Sequence, residues 1–218
     1  MKLRDLWGVA LALAMLQGTA HAKQAHAPKA AEAASDSAEA TYRGGLVSPP
    51  LRKPKFTLTD TSGASFDFAA KTEGYTTLLF FGYTHCPDMC PLQMSMIAQA
   101  FKKIPTATAD QFKVVFVTTD PDRDSPQVLR AWLDHFDRRF IGLTGSQAAI
   151  DAAQIAANIA PAKKSAVRAD GNYEVSHAAF VLAYTRDDLA HVIYPVGVEA
   201  EDFAHDLPLL AKESWTKR

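Results

Sequence analysis

Both cysteines of the chain fall in one short run, Gly82-Tyr83-Thr84-His85-Cys86-Pro87-Asp88-Met89-Cys90-Pro91. An unbroken apolar stretch, Thr76 to Tyr83, precedes it, and a pattern of helical period follows. Such a stretch without alternation is the mark of a strand covered on both faces. Pro91 is predicted as the first helical residue, because proline suits a helix start and disrupts a helix one turn later. Met94, Ile97, Ala98 and Phe101 then form the apolar face of a helix ending near Lys103. This leaves residues 86–90 in a tight loop with both thiols beside a helix N-terminus, where thiolate is favoured over thiol. Two sulfurs placed so make either a redox centre or a site for a soft metal such as Cu(I) or zinc.

The remaining elements alternate between the two periods. Lys55–Asp60 and Ser65–Phe68 alternate about Thr61-Ser62-Gly63 and predict a hairpin at the start of the domain. Lys113–Thr119 is a second buried strand. Asp120–Asp124 is a turn, and Ser125 caps a helix whose first residue is Pro126. Phe140–Leu143 is a short strand, Ser146–Ile159 an Ala-rich helix, and residues 160–174 a loop. Ala178–Thr185 and His191–Val196 form a closing hairpin, and Glu199–Lys212 is a last helix interrupted by Pro208. Strands joined by helices and finished by a hairpin predict an α/β fold. The order is compatible with a thioredoxin-like sheet, with helices on both faces and an added N-terminal β-hairpin.

The N-terminus reads differently. Lys2 and Arg4, the apolar run Leu6–Leu16 and the small residues Ala20-His21-Ala22 predict a secretory signal over residues 1–22, too short to span a membrane comfortably. If it stays uncleaved it tethers the chain to the membrane. Residues 23–50, rich in Ala, Lys, Ser and Pro without apolar period, are expected to be a flexible tether, leaving residues 51–218 as one domain. His21 and His26 are too sparse in this stretch to read as a metal tract. The chain carries 23 basic and 24 acidic residues, so no charge excess points to nucleic acid. Two cysteines are too few for a disulfide scaffold.

Two protein ligands rarely suffice for a metal, and His177, immediately ahead of the strand Ala178–Thr185, is the best candidate for a third. From the residues alone, a lone histidine at a strand start also fits a surface or capping role. His85 is expected to turn away from the loop. His135 and His205 are read as solvated, and His191 as lacking a partner. Met94 is read as core, while Tyr83 and Met89 flank the opening. Asp120 and Asp124 are read as stabilising a turn and a helix N-terminus rather than as a hard-metal pair.

Phe81–Pro91 resembles the signature of the Sco/SenC copper-chaperone family. Val117-Thr118-Thr119-Asp120-Pro121-Asp122-Arg123-Asp124-Ser125-Pro126 resembles that family's second block, and Val175-Ser176-His177 sits where the family has its distant histidine. The resemblance covers about residues 50–212. It implies a thioredoxin-like domain holding copper, as Cu(I) and in some states Cu(II), on Cys86, Cys90 and His177. It also implies a role in assembling the binuclear copper (CuA) centre of cytochrome c oxidase. The partner would be the copper-accepting subunit of a terminal oxidase or another periplasmic copper chaperone, met by an exported, monomeric protein. Asp120 becomes a supporting or docking residue. Ser176 and Ala178 depart from the family's Asp and Ser or Thr beside the histidine, which bears on how the His177 ring is supported.

Some members of the family are thiol–disulfide oxidoreductases, in which Cys86 and Cys90 would be catalytic. Three residues between the cysteines, and no proline ahead of the strand facing them, suit a metal better than disulfide exchange. A peroxidase of the peroxiredoxin type needs Thr three residues before its cysteine, where this chain has Tyr83 and Pro87.

Overall fold

The computed structural model describes residues 42–212, so the expected signal and residues 23–41 of the expected tether lie outside it. Strands β1 (Gly45–Arg52), β2 (Thr57–Asp60), β3 (Ser65–Asp67), β4 (Thr76–Gly82), β5 (Phe112–Thr118), β6 (Ile141–Thr144), β9 (Phe180–Tyr184) and β10 (Leu189–Pro195) form one sheet. Its order is β1-β10-β9-β4-β5-β6-β2-β3. β4, β5 and β6 run parallel, and the pairs on either side of them are antiparallel. β7 (Lys163–Lys164) and β8 (Val175–Ser176) pair separately.

Strand alternation divides the core between the two faces of the sheet. Leu78 and Phe80 of β4 join Val114 and Phe116 of β5 beneath helices α2 (Met89–Lys103), α4 (Pro126–Asp134) and α6 (Ala200–Lys212). Leu79, Phe81, Val115 and Val117 face the other way, onto α5 (Gln147–Ala156) and Phe68, which opens the short helix α1 (Phe68–Lys71). The sheet with helices on both faces is as expected. The early hairpin β2–β3 is present and joins the sheet through β6 at its far edge.

Several boundaries differ from those expected. Strand β1 reaches into the stretch expected to be a tether, pairing with β10 from Gly45 onward. Its prolines, Pro49 and Pro50, hid it, yet an edge strand tolerates residues that donate no ladder hydrogen bond. The expected loop 160–174 contains β7 and most of a hairpin that returns through β8, closed by Ser165 N to Glu174 O (2.8 Å) and Arg168 N to Asn172 O (2.7 Å). A short helix, α3 (Thr106–Ala109), follows Pro105. Pro208 does not interrupt α6, which continues through it. Phe203, Leu207, Leu210 and Ala211 bury one face of that helix and offset the missing N–H.

α6 also clasps the start of the described chain. Asp206, fully buried, accepts the backbone N–H groups of Arg43 (3.0 and 2.9 Å to its two oxygens) and Gly44 (2.9 Å) and the Tyr194 hydroxyl (3.2 Å). Asp206→Ala leaves these donors without their acceptor, and is expected to lower stability by about 2–3 kcal/mol in urea unfolding. Arg43→Ala removes only the exposed pair with Asp202 and should cost under about 1 kcal/mol. Equal effects would show that the buried carboxylate is not what holds the segment.

Candidate metal centre

Strand alternation gives Gly82 its importance. Positions 78, 80 and 82 of β4 point to the face on which α2 packs, and at position 82 there is no side chain. A Cβ there would lie 2.7 Å from Cys90 Sγ and 2.9 Å from the Phe80 ring. The vacant space holds the Cys90 sulfur. Thr119 N bonds the Gly82 carbonyl at 2.7 Å, so the β4–β5 pairing persists to the edge of the site.

The helix begins earlier than predicted. Met89 and Cys90 are helical and Asp88 is the N-cap, so Pro91 stands third in α2 rather than first. The helix tolerates this because its first N–H groups have no partner within the helix. Asp88 offers no side-chain cap. Instead the Cys90 N–H points at Cys86 Sγ, 3.5 Å away, so a cysteine sulfur does the work of a capping oxygen.

The loop is braced from below. Asp124, fully buried, accepts the Thr84 N–H (2.9 Å), the Thr84 hydroxyl (2.5 Å) and the Thr118 hydroxyl (2.6 Å). Asp120, four residues earlier and equally buried, reaches the other way. It accepts the Tyr173 hydroxyl at 2.8 Å, pairs with Arg123, and lies 3.3 Å from Lys164 Nζ. Arg123 stacks 3.7 Å from the Tyr173 ring centroid and donates to the Tyr173 carbonyl at 3.2 Å. Tyr173 and Lys164 belong to the hairpin that ends at His177. One turn therefore ties the cysteine loop to the histidine segment. With both carboxylates committed in this way, neither is free to serve a hard metal.

His177 Nε2 lies 3.4 Å from Cys90 Sγ, and one donor atom from each of Cys86, Cys90 and His177 lies within 4.8 Å of the others. Among the described residues no other group of three His, Cys, Asp or Glu is so placed. The ring stands edge-on to Phe80 (6.0 Å) and Tyr83 (5.6 Å). Its Nδ1 lies 3.2 Å from the Ala178 carbonyl. A carbonyl can only accept, so in the neutral ring the proton sits on Nδ1 and the Nε2 lone pair faces the sulfurs. The nitrogen away from the sulfurs thus meets a backbone carbonyl and not a side chain at 176 or 178.

The two thiols differ. The Cys90 side-chain hydrogen bond, together with the Asp88 and Cys90 N–H groups, pushes the Cys86 thiol down to about 4 against the opposing effect of burial. Burial and the neighbouring Cys86 charge push the Cys90 thiol well up. The two shifts oppose each other, Cys86 towards thiolate and Cys90 towards thiol. Two soft sulfurs and an imidazole nitrogen suit Cu(I) or zinc and not the oxygen-seeking Ca²⁺ or Mg²⁺.

Residues 47–212 match the family model described as SCO1/SenC. The chain belongs to that family. It is 33% identical over 125 residues to an SCO2-like protein of Rickettsia prowazekii, a match covering 57% of this chain and 60% of that one. The aligned part therefore spans about three fifths of that relative's length. Bradyrhizobium japonicum ScoI, solved with copper bound, has a similar structure (TM-score 0.65, 32% identity, 73% of this chain and 99% of that one). So does apo Sco1 of Thermus thermophilus (TM-score 0.70, 28% identity, 78% and 97%). The thioredoxin-like fold is that of these SCO1/SenC proteins.

The other histidines among the described residues stand apart from the triad. His85 is half exposed, 3.1 Å from the Thr84 hydroxyl and 3.6 Å from Asp124. His135 follows α4 and is exposed. His191 does have a partner, contrary to expectation: its Nε2 lies 2.9 Å from Asp187 across the hairpin turn. His205, read as solvated, contacts Asp206 at 2.7 Å. Met94 is core, Tyr83 is buried against His177, and Met89 is exposed. The roles of Gly82, Thr84 and Tyr173 were not foreseen.

Two outcomes follow from this geometry. At pH 6 an ordinary thiol is protonated, whereas Cys86 remains thiolate and loses reactivity only as pH falls through about 4. Iodoacetamide should therefore modify Cys86 first in the metal-free reduced protein, with a rate nearly flat from pH 8 to 5, while Cys90 lags. Equal labelling of both thiols, slowing together below pH 9, would contradict it. Gly82→Ala should destabilise by about 1–3 kcal/mol in urea unfolding, because neither the Cys90 sulfur nor the Phe80 ring can yield freely. An unchanged unfolding midpoint would show that the sulfur does not need this space.

Proposed function

We propose that this chain binds copper through Cys86, Cys90 and His177 and delivers it during assembly of the CuA centre of cytochrome c oxidase. The observation that carries the proposal is the convergence of two sulfurs and an imidazole lone pair at an open cleft. A thiolate, a thiol that can lose its proton, and a neutral imidazole suit Cu(I) as cargo. Three donors leave a position through which a partner's ligand can enter and take the ion. The chain positions them by distinct means: α2 carries Cys90, the Asp124-braced loop carries Cys86, and the Asp120–Tyr173 brace holds the hairpin before His177. The similarity to Bradyrhizobium japonicum ScoI, solved with copper bound, supports the assignment.

Export fits the pattern of residues 1–22, with the domain acting in the periplasm, free or held at the membrane by its N-terminal segment. Among the described residues no helix is long and apolar enough to cross a membrane. The partner is the copper-accepting subunit of the oxidase or a second periplasmic copper carrier, and the domain acts as a monomer.

The inequality of the two thiols favours a second role. A thiolate at Cys86 facing a protonated Cys90 is the arrangement of an attacking and a resolving cysteine. In that role the protein would reduce the oxidase's own copper-ligand cysteines.

Anaerobic titration of the reduced chain should show one Cu(I) bound per chain, lost when both cysteines become Ser. His177→Ala should weaken binding by more than about tenfold, since a direct ligand matters at least as much as the groups behind it. Mild oxidation should join Cys86 to Cys90 and abolish Cu(I) binding, because disulfide sulfurs are not thiolate ligands. In cells lacking the protein, His177→Ala should fail to restore oxidase activity. Full rescue by that variant would assign thiol reduction instead of copper delivery.

A further inference from the structure

The donor triad is enclosed on most sides and open on one. Phe80 and Tyr83 stand edge-on to the His177 ring, and α2 carries Cys90 against Gly82. The open side is a cleft whose lining includes Tyr83, Cys86, Met89, Val175 and His177. Met89 is the first residue of α2, next to Cys90 and three residues after Cys86. It is 38% exposed, whereas Met94 is fully buried and Met96 packs against the core. Helix starts favour capping and acidic side chains, so local structure does not call for a methionine there. Its thioether is a soft, uncharged donor, suited to Cu(I) and weaker than a thiolate.

We infer that the Met89 thioether is a relay ligand for Cu(I) at the mouth of the site, taking the ion from an incoming carrier and holding it again as it leaves. The inference rests on the copper reading of the triad. The exchange involves no redox change. One Cu–S(thioether) bond replaces a bond to the carrier and is in turn replaced by bonds to Cys86, Cys90 and His177, with the Cys90 proton released to solvent. A neutral sulfur competes poorly with thiolates once the ion is seated, so the relay speeds transfer without trapping the cargo. Leu92, three residues on in α2 and 40% exposed, carries apolar bulk but no donor atom. The effects of sulfur and of apolar bulk are therefore separable.

The test compares full-length wild type, Met89→Leu and Met89→Ala, each loaded anaerobically with one Cu(I). Transfer to bathocuproine disulfonate is followed by stopped flow. Leucine keeps bulk and helix propensity but removes the sulfur. Both variants are expected to keep the stoichiometry and to release Cu(I) about tenfold more slowly, the lower end of what loss of a supporting group at a metal site costs. In His177→Ala, which lacks one strong ligand, the Met89 ε-methyl carbon resonance should move when Ag(I), a redox-inert soft probe, is added. Wild-type rates in Met89→Leu overturn the inference, whatever Met89→Ala does, because apolar bulk then suffices. An unmoved methyl resonance overturns it equally. Wild type that takes up no Cu(I) would sink the copper reading itself, an outcome distinct from both.

Discussion

Asp124 lies fully buried beneath the cysteine loop and takes three hydrogen bonds from Thr84 and Thr118. A buried carboxylate persists only where donors replace its lost hydration, so these contacts fix one another. They join the end of β4 to the end of β5, the two central parallel strands, at the point where each leaves the sheet. Both sulfurs depend on this joint. Cys86 lies two residues beyond Thr84, and Cys90 rests in the space that Gly82 leaves at the strand end. Asp120 extends the same turn towards Tyr173 and so towards His177. A motif five residues long, Asp120 to Asp124, thus holds together two pieces of chain remote in sequence.

The thiol inequality follows from this scaffold. The loop sets Cys86 where the first N–H groups of α2 converge, and the strand buries Cys90 among apolar neighbours. Identical side chains four residues apart then take opposite protonation states because one faces donors and the other faces carbon. On the copper reading proposed above, a bound cation would supply the charge that lets the second thiol ionise as well.

Much of this was legible from local signals. The unbroken apolar run of β4, the Ser125 cap with Pro126 behind it, and the cysteine spacing each have a short-range cause, and each appears where expected. The features that escaped depend on distant partners. β1 and β7 are polar, short or proline-bearing, and exist because β10 and β8 complete them. Gly82 looks like any turn glycine until a sulfur from the next helix occupies its missing side chain. Asp120 and Asp124 looked like turn formers, and nothing local says that Tyr173 and Thr84 will seek them. The start of α2 was misplaced because a proline in the first turn is compatible with more than one position. His177 could be nominated from its place before a strand and from the family resemblance, but its tautomer depends on the Ala178 carbonyl, which no side-chain pattern encodes.

The third donor stands 87 residues after Cys90 in the chain. During synthesis the thiol pair emerges early and can meet a metal ion as a two-sulfur chelate, before β9 and β10 exist. His177 meets the sulfurs only where distant parts of the chain come together, since its segment is held through Tyr173 to a turn that follows β5. Closing so long a loop costs little beyond what folding already requires, but it cannot happen piecemeal. The complete donor set is therefore a report on the whole domain: a chain that binds with all three ligands has finished folding, and a misfolded or truncated one offers only the weaker pair. An ion that prefers the full set stabilises the finished fold in proportion to that preference. On the copper reading proposed above, loading of the ion and completion of the fold would be one equilibrium.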